Sequence, residues 1–533
     1  MRRWNGWGDD MTGYPLHALA ARLIEEWIGP ATPPRDVPLA DVVRAVPASR
    51  LPDHPLIMTD AAERVRHARG QSLPDWVALR SGRIPVFPDG VAYPTTEDDV
   101  RDLIAYALAA GVRLIPYGGA TSVVGHINPV SGDAPVLTVD LGRMNRLEHF
   151  DVVSGLATFG AGVNGPDLEA ELRARGFTLG HFPQSFELST LGGWIATRSS
   201  GQQSLHYGRI EGLFAGGRVI APAGTLDLPP FPASAAGPDL RELVLGSEGQ
   251  FGIITQAIVR ASRLPEREDF RGIFFPNFEQ GMAAVRAIVQ ARLPLSLLRL
   301  STATETRTTL ALAGHERVIG LLARYLALRC VANDNCMLLL GATGTKSQVR
   351  AAIKAARGIA GDHGGVHIGR IFGRQWHKSR FRTPYLRNTL WERGYAVDTL
   401  ETATQWDRVP TMIATIEDAL RSALNDSGER AHVFTHLSHV YPSGSSIYTT
   451  YLFRLAHDPD ETLHRWRALK SAASRAIVAQ GGTISHQHGV GTDNAPYLAA
   501  EKGALGMAAL RTLSAHFDPA GIMNPGKLAG EEQ

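Results

Sequence analysis

Four runs of glycine, serine and threonine lie between residues 116 and 255, and they constrain the fold more than any other feature. The first is Pro116-Tyr117-Gly118-Gly119-Ala120-Thr121-Ser122-Val123, directly after a strand-like stretch at 112–115. Pro183-Gln184-Ser185 leads into the second, Ser189-Thr190-Leu191-Gly192-Gly193-Trp194-Ile195-Ala196-Thr197. Ser199-Ser200-Gly201 with Tyr207-Gly208 is the third, and residues 245–255, from Leu245-Gly246-Ser247-Glu248 to Gly252-Ile253-Ile254-Thr255, are the fourth. Glycine lets the main chain approach a ligand without side-chain bulk. Consecutive amides in such a loop converge on an anion. A long ligand with a pyrophosphate in its middle accounts for all four.

Two other glycine stretches read as structure. Gly160-Ala161-Gly162-Val163-Asn164-Gly165 fits GxGxxG, but the helix it opens begins Pro166-Asp167-Leu168-Glu169. Those carboxylates occupy the positive helix end that a pyrophosphate would need. Gly341-Ala342-Thr343-Gly344-Thr345-Lys346-Ser347 is too short for a phosphate loop, because Gly344 does not directly precede the lysine.

At 533 residues the chain exceeds one ordinary core. Residues 1–89 read as a helical segment with Pro-rich connections. Residues 90–265 alternate strands and helices, starting with a β-α-β unit over 90–117 whose helix Thr95 or Thr96 can cap. Residues 266–480 read as a separate α/β unit, and 481–533 as a returning segment with a strand at 481–485. The formal charge is +2, too little for a sequence-independent nucleic-acid binder. Only six of the 54 basic residues are lysines, and arginine is the better bidentate partner for anions. Cys330 and Cys336 cannot build a disulfide framework. Met1-Arg2-Arg3 precedes Trp4-Asn5-Gly6-Trp7-Gly8, not an apolar region, so no signal is read and the cytoplasm is the expected compartment. No stretch approaches the ~18 apolar residues of a membrane span.

The ordered loops resemble the FAD-binding domain of the vanillyl-alcohol-oxidase/p-cresol-methylhydroxylase superfamily, the FAD-linked oxidases. Asp518-Pro519-Ala520-Gly521-Ile522-Met523-Asn524-Pro525-Gly526-Lys527 is similar to the ending of its glycolate and D-lactate dehydrogenases. Trp4-Asn5-Gly6-Trp7-Gly8, Gly180-His181-Phe182-Pro183-Gln184-Ser185, Glu401-Thr402-Ala403, Trp406-Asp407-Arg408-Val409, Ile447-Tyr448 and Ser485-His486-Gln487-His488-Gly489 resemble the alkylglycerone-phosphate synthase branch. The resemblance implies an α+β fold, with a p-cresol-methylhydroxylase-type FAD domain and an α/β cap domain on an antiparallel sheet. It implies that Gly118, Gly119, Ala120, Thr121 and Ser122 hold the pyrophosphate. Pro183, Ser185, Thr190, Gly192, Gly193 and Ala196 would line the flavin and ribityl chain, and Glu248, Gly252, Ile253 and Ile254 the remaining cofactor wall. Many relatives attach FAD through a histidine in the first loop; residues 119–122 contain none, so FAD is expected to be non-covalent. His126 is read as part of a later turn.

Three services are required of the protein around a flavin: a group that moves a proton, positive groups for an anionic substrate, and a shield. His486 and His488 are two apart on an expected strand end, which puts both rings on one face. They serve the flavin site, hold a metal with His436 or His439, or are structural; no metal is expected. Tyr448 matches the family's active-site tyrosine, with a core aromatic as the alternative. Arg299, within Leu297-Leu298-Arg299-Leu300, must be paired if buried. It reads as an anion site or as half of an ion pair.

Gln184, His436 and Gln487 stand where the synthases carry an aspartate, an arginine and a third histidine. A histidine at 436 lowers the permanent positive charge. These departures favour an FAD-dependent oxidoreductase acting on an alcohol carbon of a 2-hydroxy acid or similar polar substrate, by hydride transfer to flavin N5. The alternative is the synthase reaction, which exchanges the acyl chain of acyl-dihydroxyacetone phosphate for a fatty alcohol. The expected partners are a small-molecule substrate, acyl-bearing in the second reading, and an electron acceptor of unspecified identity in the first. Peripheral membrane contact and a homodimer stay open.

Overall fold

The computed structural model describes residues 2–314, 316–331 and 334–528. Its first sheet orders the strands Ile57–Met58, Gly90–Ala92, Val136–Asp140 and Arg113–Tyr117, the last three parallel. The expected β-α-β unit is present. Helix Glu97–Ala110 starts at Thr96, whose hydroxyl accepts from Asp99 N while the Asp99 carboxylate accepts from Thr96 N. A second sheet is antiparallel, in the order Leu147–Asp151, Leu156–Gly160, Ile253–Arg260, Phe214–Ala221 and Gly224–Leu228. The turn at 160–165 is closed by Asn164, which caps helix Gly165–Arg173. The stretch at 341–347 is likewise the end of strand Cys336–Gly344 and a Thr345 cap on helix Lys346–Asp362.

The third sheet has eight strands and is antiparallel throughout. Its path runs Val366–His367, Arg267–Phe275, Cys336–Gly344, Leu297–Ser301, His432–Leu437, Gly444–Arg454 and Tyr395–Gln405, with Val440–Tyr441 paired on Gly444–Arg454. Residues alternate between its two faces. Leu298, Leu300, Val433, Leu437, Ile447, Tyr451, Phe453, Ala396 and Leu400 pack in one core cluster with helices Phe278–Gln290, Lys346–Asp362, Val409–Ser422 and Pro459–Ala479. The opposite face lines one cavity together with the glycine loops at 118–122 and 189–196.

The expected strand at 481–485 does not form. Ile484 N donates to the Glu501 carboxylate rather than to a neighbouring strand, and Thr483 Oγ1 donates to the same group. A side chain takes the amide that a ladder would have used, so residues 485–490 run as an irregular loop. Helix Ala495–Phe517 follows, kinked at Gly503, where φ is +65°.

Candidate functional site

The first glycine loop leaves strand Arg113–Tyr117 and packs directly on the second. A Cβ on Gly119 would lie 1.9 Å from the Leu188 carbonyl oxygen, and one on Gly118 would lie 2.2 Å from Thr190 Oγ1. Ala120 has a φ of +50°. The amides of Gly119, Ala120 and Thr121 donate to no acceptor among the described residues. That is an anion cradle of backbone amides. The Ser122 hydroxyl is committed elsewhere: it accepts from His126 N and bonds the His126 ring. Thr190 caps helix Leu191–Ala196.

A cavity of about 860 Å3 opens from this cradle. Gly118, Gly119, Ala120, Thr121, Ser122, Pro183, Ser185, Thr190, Gly192, Gly193, Ala196, Glu248, Gly252 and Ile254 all line it. So do Gln184, Arg299, His436, Tyr448, Gln487 and His488. Two expected residues stand back. Ile253 packs in the core behind the first sheet, with Leu114 and Val139. His486 lies behind the wall, its ring against His439 and Tyr441. Because 485–490 is a loop, the two histidines do not share a strand face, and only His488 reaches the cavity, edge-on to Tyr448 at 6.1 Å. The Glu248 carboxylate pins this loop by accepting from Val490 N and, at 2.8 Å, from Gly491 N.

The opposite wall is the free face of the eight-stranded sheet, and strand register orders it in rows. Glu401, Tyr448, His436 and Ser301 are consecutive cross-strand partners, with Arg299 two residues from Ser301 on the same face. The next row is Thr399, Thr450 and Phe434; the third is Val397, Leu452 and His432. Polarity falls from row to row. Past the third row, helix Ala18–Ile28 closes the far end: Ala20 and Ile24 line the cavity, and Trp27 stacks on His432 at 4.0 Å.

In the polar row Arg299 is half of an ion pair. Its Nη2 is 2.5 Å from Glu305 Oε1, and His436 Nδ1 is 2.9 Å from the same oxygen. Burial opposes the Glu305 charge, yet His436 and Arg299 hold its carboxyl below the usual range. Burial, with Arg299, lowers His436. Burial, with Lys470, lowers His488 to about 4. Burial and then Glu401 raise Tyr448, so its phenol stays protonated.

Glu401 behaves in the opposite sense. It is 3% exposed, and both of its carboxylate oxygens are buried without a hydrogen-bond partner. Burial raises it to about 8, against the pull of Arg209. Glu401, His439 and His486 each place one potential ligand atom within 4.8 Å of the others. Arg209 bears on that set. Its Nη1, always a donor, is 2.7 Å from His486 Nε2, so Nε2 accepts. Burial, with His439 and Arg209, keeps the ring neutral. The single ring proton therefore sits on Nδ1, 3.9 Å from Glu401 Oε2. A metal bound there would have to displace that proton beside a guanidinium.

Two family models cover most of the chain: "FAD binding domain" over 88–227 and "FAD linked oxidases, C-terminal domain" over 264–528. The chain is 30% identical to the alkyldihydroxyacetonephosphate synthase of Dictyostelium discoideum, over 99% of its own length and 93% of that protein. The chain belongs to the FAD-linked oxidase family. A second relative, the alkyldihydroxyacetonephosphate synthase of Trypanosoma brucei brucei, is also 30% identical, over 89% of this chain and 78% of that one. A solved structure of an alkyldihydroxyacetonephosphate synthase superposes with a TM-score of 0.83, at 26% identity and 99% coverage of both chains. FAD is the cofactor, and the amide cradle at 118–122 fits its pyrophosphate.

Sequence reasoning missed three residues of this FAD-linked site. Arg387, from helix Leu386–Glu392, lines the cavity and stacks over Trp76 at 4.4 Å. Glu305 and Arg209 become visible only through their partners. Glu401 was already in the Glu401-Thr402-Ala403 motif, and its position on the free face follows from strand alternation.

Proposed function

We propose that the chain exchanges the acyl group of acyl-dihydroxyacetone phosphate for a long-chain alcohol, the synthase reaction, rather than oxidising a 2-hydroxy acid. The single observation that carries this reading is the graded cavity. A small polar acid has no use for the reach beyond Tyr448, past Phe434 to Val397, Leu452 and Ile24, whereas an acyl or alkyl tail does. Two relatives that match most of the chain at 30% identity bear the synthase name, which supports the same choice.

The residues take definite parts. Bound FAD would supply a flavin ring able to bond reversibly to the substrate's reacting carbon, with no net redox. The cradle at 118–122 would hold its pyrophosphate. His126 is already engaged by Ser122 and lies 3.2 Å from Glu248, which supports non-covalent attachment. Tyr448 donates a hydrogen bond to the substrate oxygen nearest the reacting carbon. Arg299 is neutralised by Glu305, so Arg387, which lines the cavity together with Arg380, is offered as the cation that meets the phosphate. Helix Glu316–Leu328 carries an exposed stripe of Val318, Leu321, Tyr325 and Leu328, and Ile371 is also exposed. Val318 and Ile371 also line the cavity, which supports entry of the tail from a membrane surface.

The test is anaerobic incubation with acyl-dihydroxyacetone phosphate and hexadecanol. Alkyl product without reduction of an added dye is the expected result. Dye reduction by D-lactate or glycolate, with no alkyl product, overturns the reading.

A further inference from the structure

We infer that Glu401 is the group that takes the hydroxyl proton of the alcohol, with Arg209 acting through His486 to fix which way the relay behind it points. The inference rests on the exchange reading for its substrate, but a hydroxyl proton leaves in the oxidation as well.

The geometry is specific. Glu401 lines the cavity beside its cross-strand partner Tyr448, and its oxygens have no hydrogen bond to spend. A fully buried carboxyl in that state holds its proton more tightly than a solvated one. The charged and titratable groups facing it come from four other segments. Arg209 precedes helix Ile210–Leu213, His486 lies in the 485–490 loop, His439 and Tyr441 lie at strand Val440–Tyr441, and Tyr448 lies on Gly444–Arg454. Asp398, on its own strand, turns to the other face and accepts from Trp466 and Tyr451. Of these, Tyr448 holds its proton too tightly to accept another, and His439, lowered to about 3 by burial and then Arg209, binds one too weakly. Glu401, at about 8, is matched to the task.

The step balances without an external oxidant. The alcohol O–H bond breaks and its proton goes to a Glu401 oxygen. The alcohol oxygen bonds to the carbon that carried the acyloxy group. That carbon–oxygen bond breaks and its electron pair leaves on the fatty carboxylate. Glu401 then gives the proton to solvent as the product departs. His486 Nδ1, which carries the ring proton, faces the Glu401 carboxylate at 3.9 Å.

The experiment compares wild type with Glu401→Gln, which keeps shape and removes proton uptake. In wild type the turnover rate rises with pH through about 8, because the base must be ionised. In Glu401→Gln, kcat is expected to fall by ~100-fold or more with KM little changed, and the rise near pH 8 disappears. Glu401→Asp restores part of both. Infrared difference spectra of the holoenzyme, without substrate, are expected to show a protonated carboxyl band at pH 6 that bleaches toward pH 9 and is missing from Glu401→Gln. That readout stands whether or not wild type makes alkyl product. Activity of Glu401→Gln within twofold of wild type overturns the inference, as does an unchanged infrared titration. Stoichiometric zinc in the purified protein, lost from Glu401→Gln, also overturns it by making Glu401 a ligand.

Discussion

The two walls of the cavity are built on different principles. The cofactor wall is loops, and what it presents is backbone: amides at 119–121 and glycines that let one loop lie on another. The opposite wall is a sheet, and what it presents is side chains, spaced by strand register. A backbone site tolerates almost no change of shape but few of its residues contribute chemistry. A side-chain site on a sheet tolerates substitution while any one residue can carry the reaction.

Substitutions can break that contrast. The largest effect is expected from Gly119→Val, whose Cβ would stand 1.9 Å from the Leu188 oxygen. The protein should purify without flavin, seen as loss of the visible absorption band. A yellow Gly119→Val protein would show that the loops can part. Tyr448→Phe is next: ~100-fold loss of turnover with flavin fully retained, checked by absorbance and steady-state rates. Loss of flavin in this variant would mean that the walls are not independent. The smallest effect lies behind both walls, at Asp493. Burial raises its carboxyl to about 7, with Lys470 opposing and Asp75 and Asp398 adding to the rise. The folded state binds that proton more tightly than the unfolded chain does, so stability falls as pH rises from 4 to 7. Asp493→Asn is expected to raise the melting temperature above pH 7, by on the order of 2 kcal/mol of stability, and to converge on wild type near pH 4. Equal gains at both pH values would assign the effect to packing.

How far each wall was legible follows from the same contrast. Gly118-Gly119 and Gly192-Gly193 are contiguous, and their chemistry is written in the order of residues, so the cradle could be read before the fold. The antiparallel cap sheet was expected as a class. Its rows were not, because Glu401, Tyr448 and His436 meet only through register set by distant pairings. The leucine neighbours of Arg299 left an anion site and an ion pair both open, and the choice depends on Glu305, six residues on. The tautomer of His486 depends on Arg209, 277 positions away in the chain. The missing strand at 481–485 teaches the reverse: Ile484 has strand character, yet one carboxylate, Glu501, outcompetes a ladder for its amide.

The rows also make a ruler. Successive rows on one strand face are two residues apart, about 6.8 Å. From Glu401 through Thr399 to Val397, and from Tyr448 through Thr450 to Leu452, the wall therefore measures out two graduations, and helix Ala18–Ile28 is the stop. On the exchange reading, a tail that reached the stop would keep Val397, Leu452 and Ile24 dry. A shorter one leaves Leu452 and Ile24 facing water, so the penalty grows in steps with each rung left uncovered.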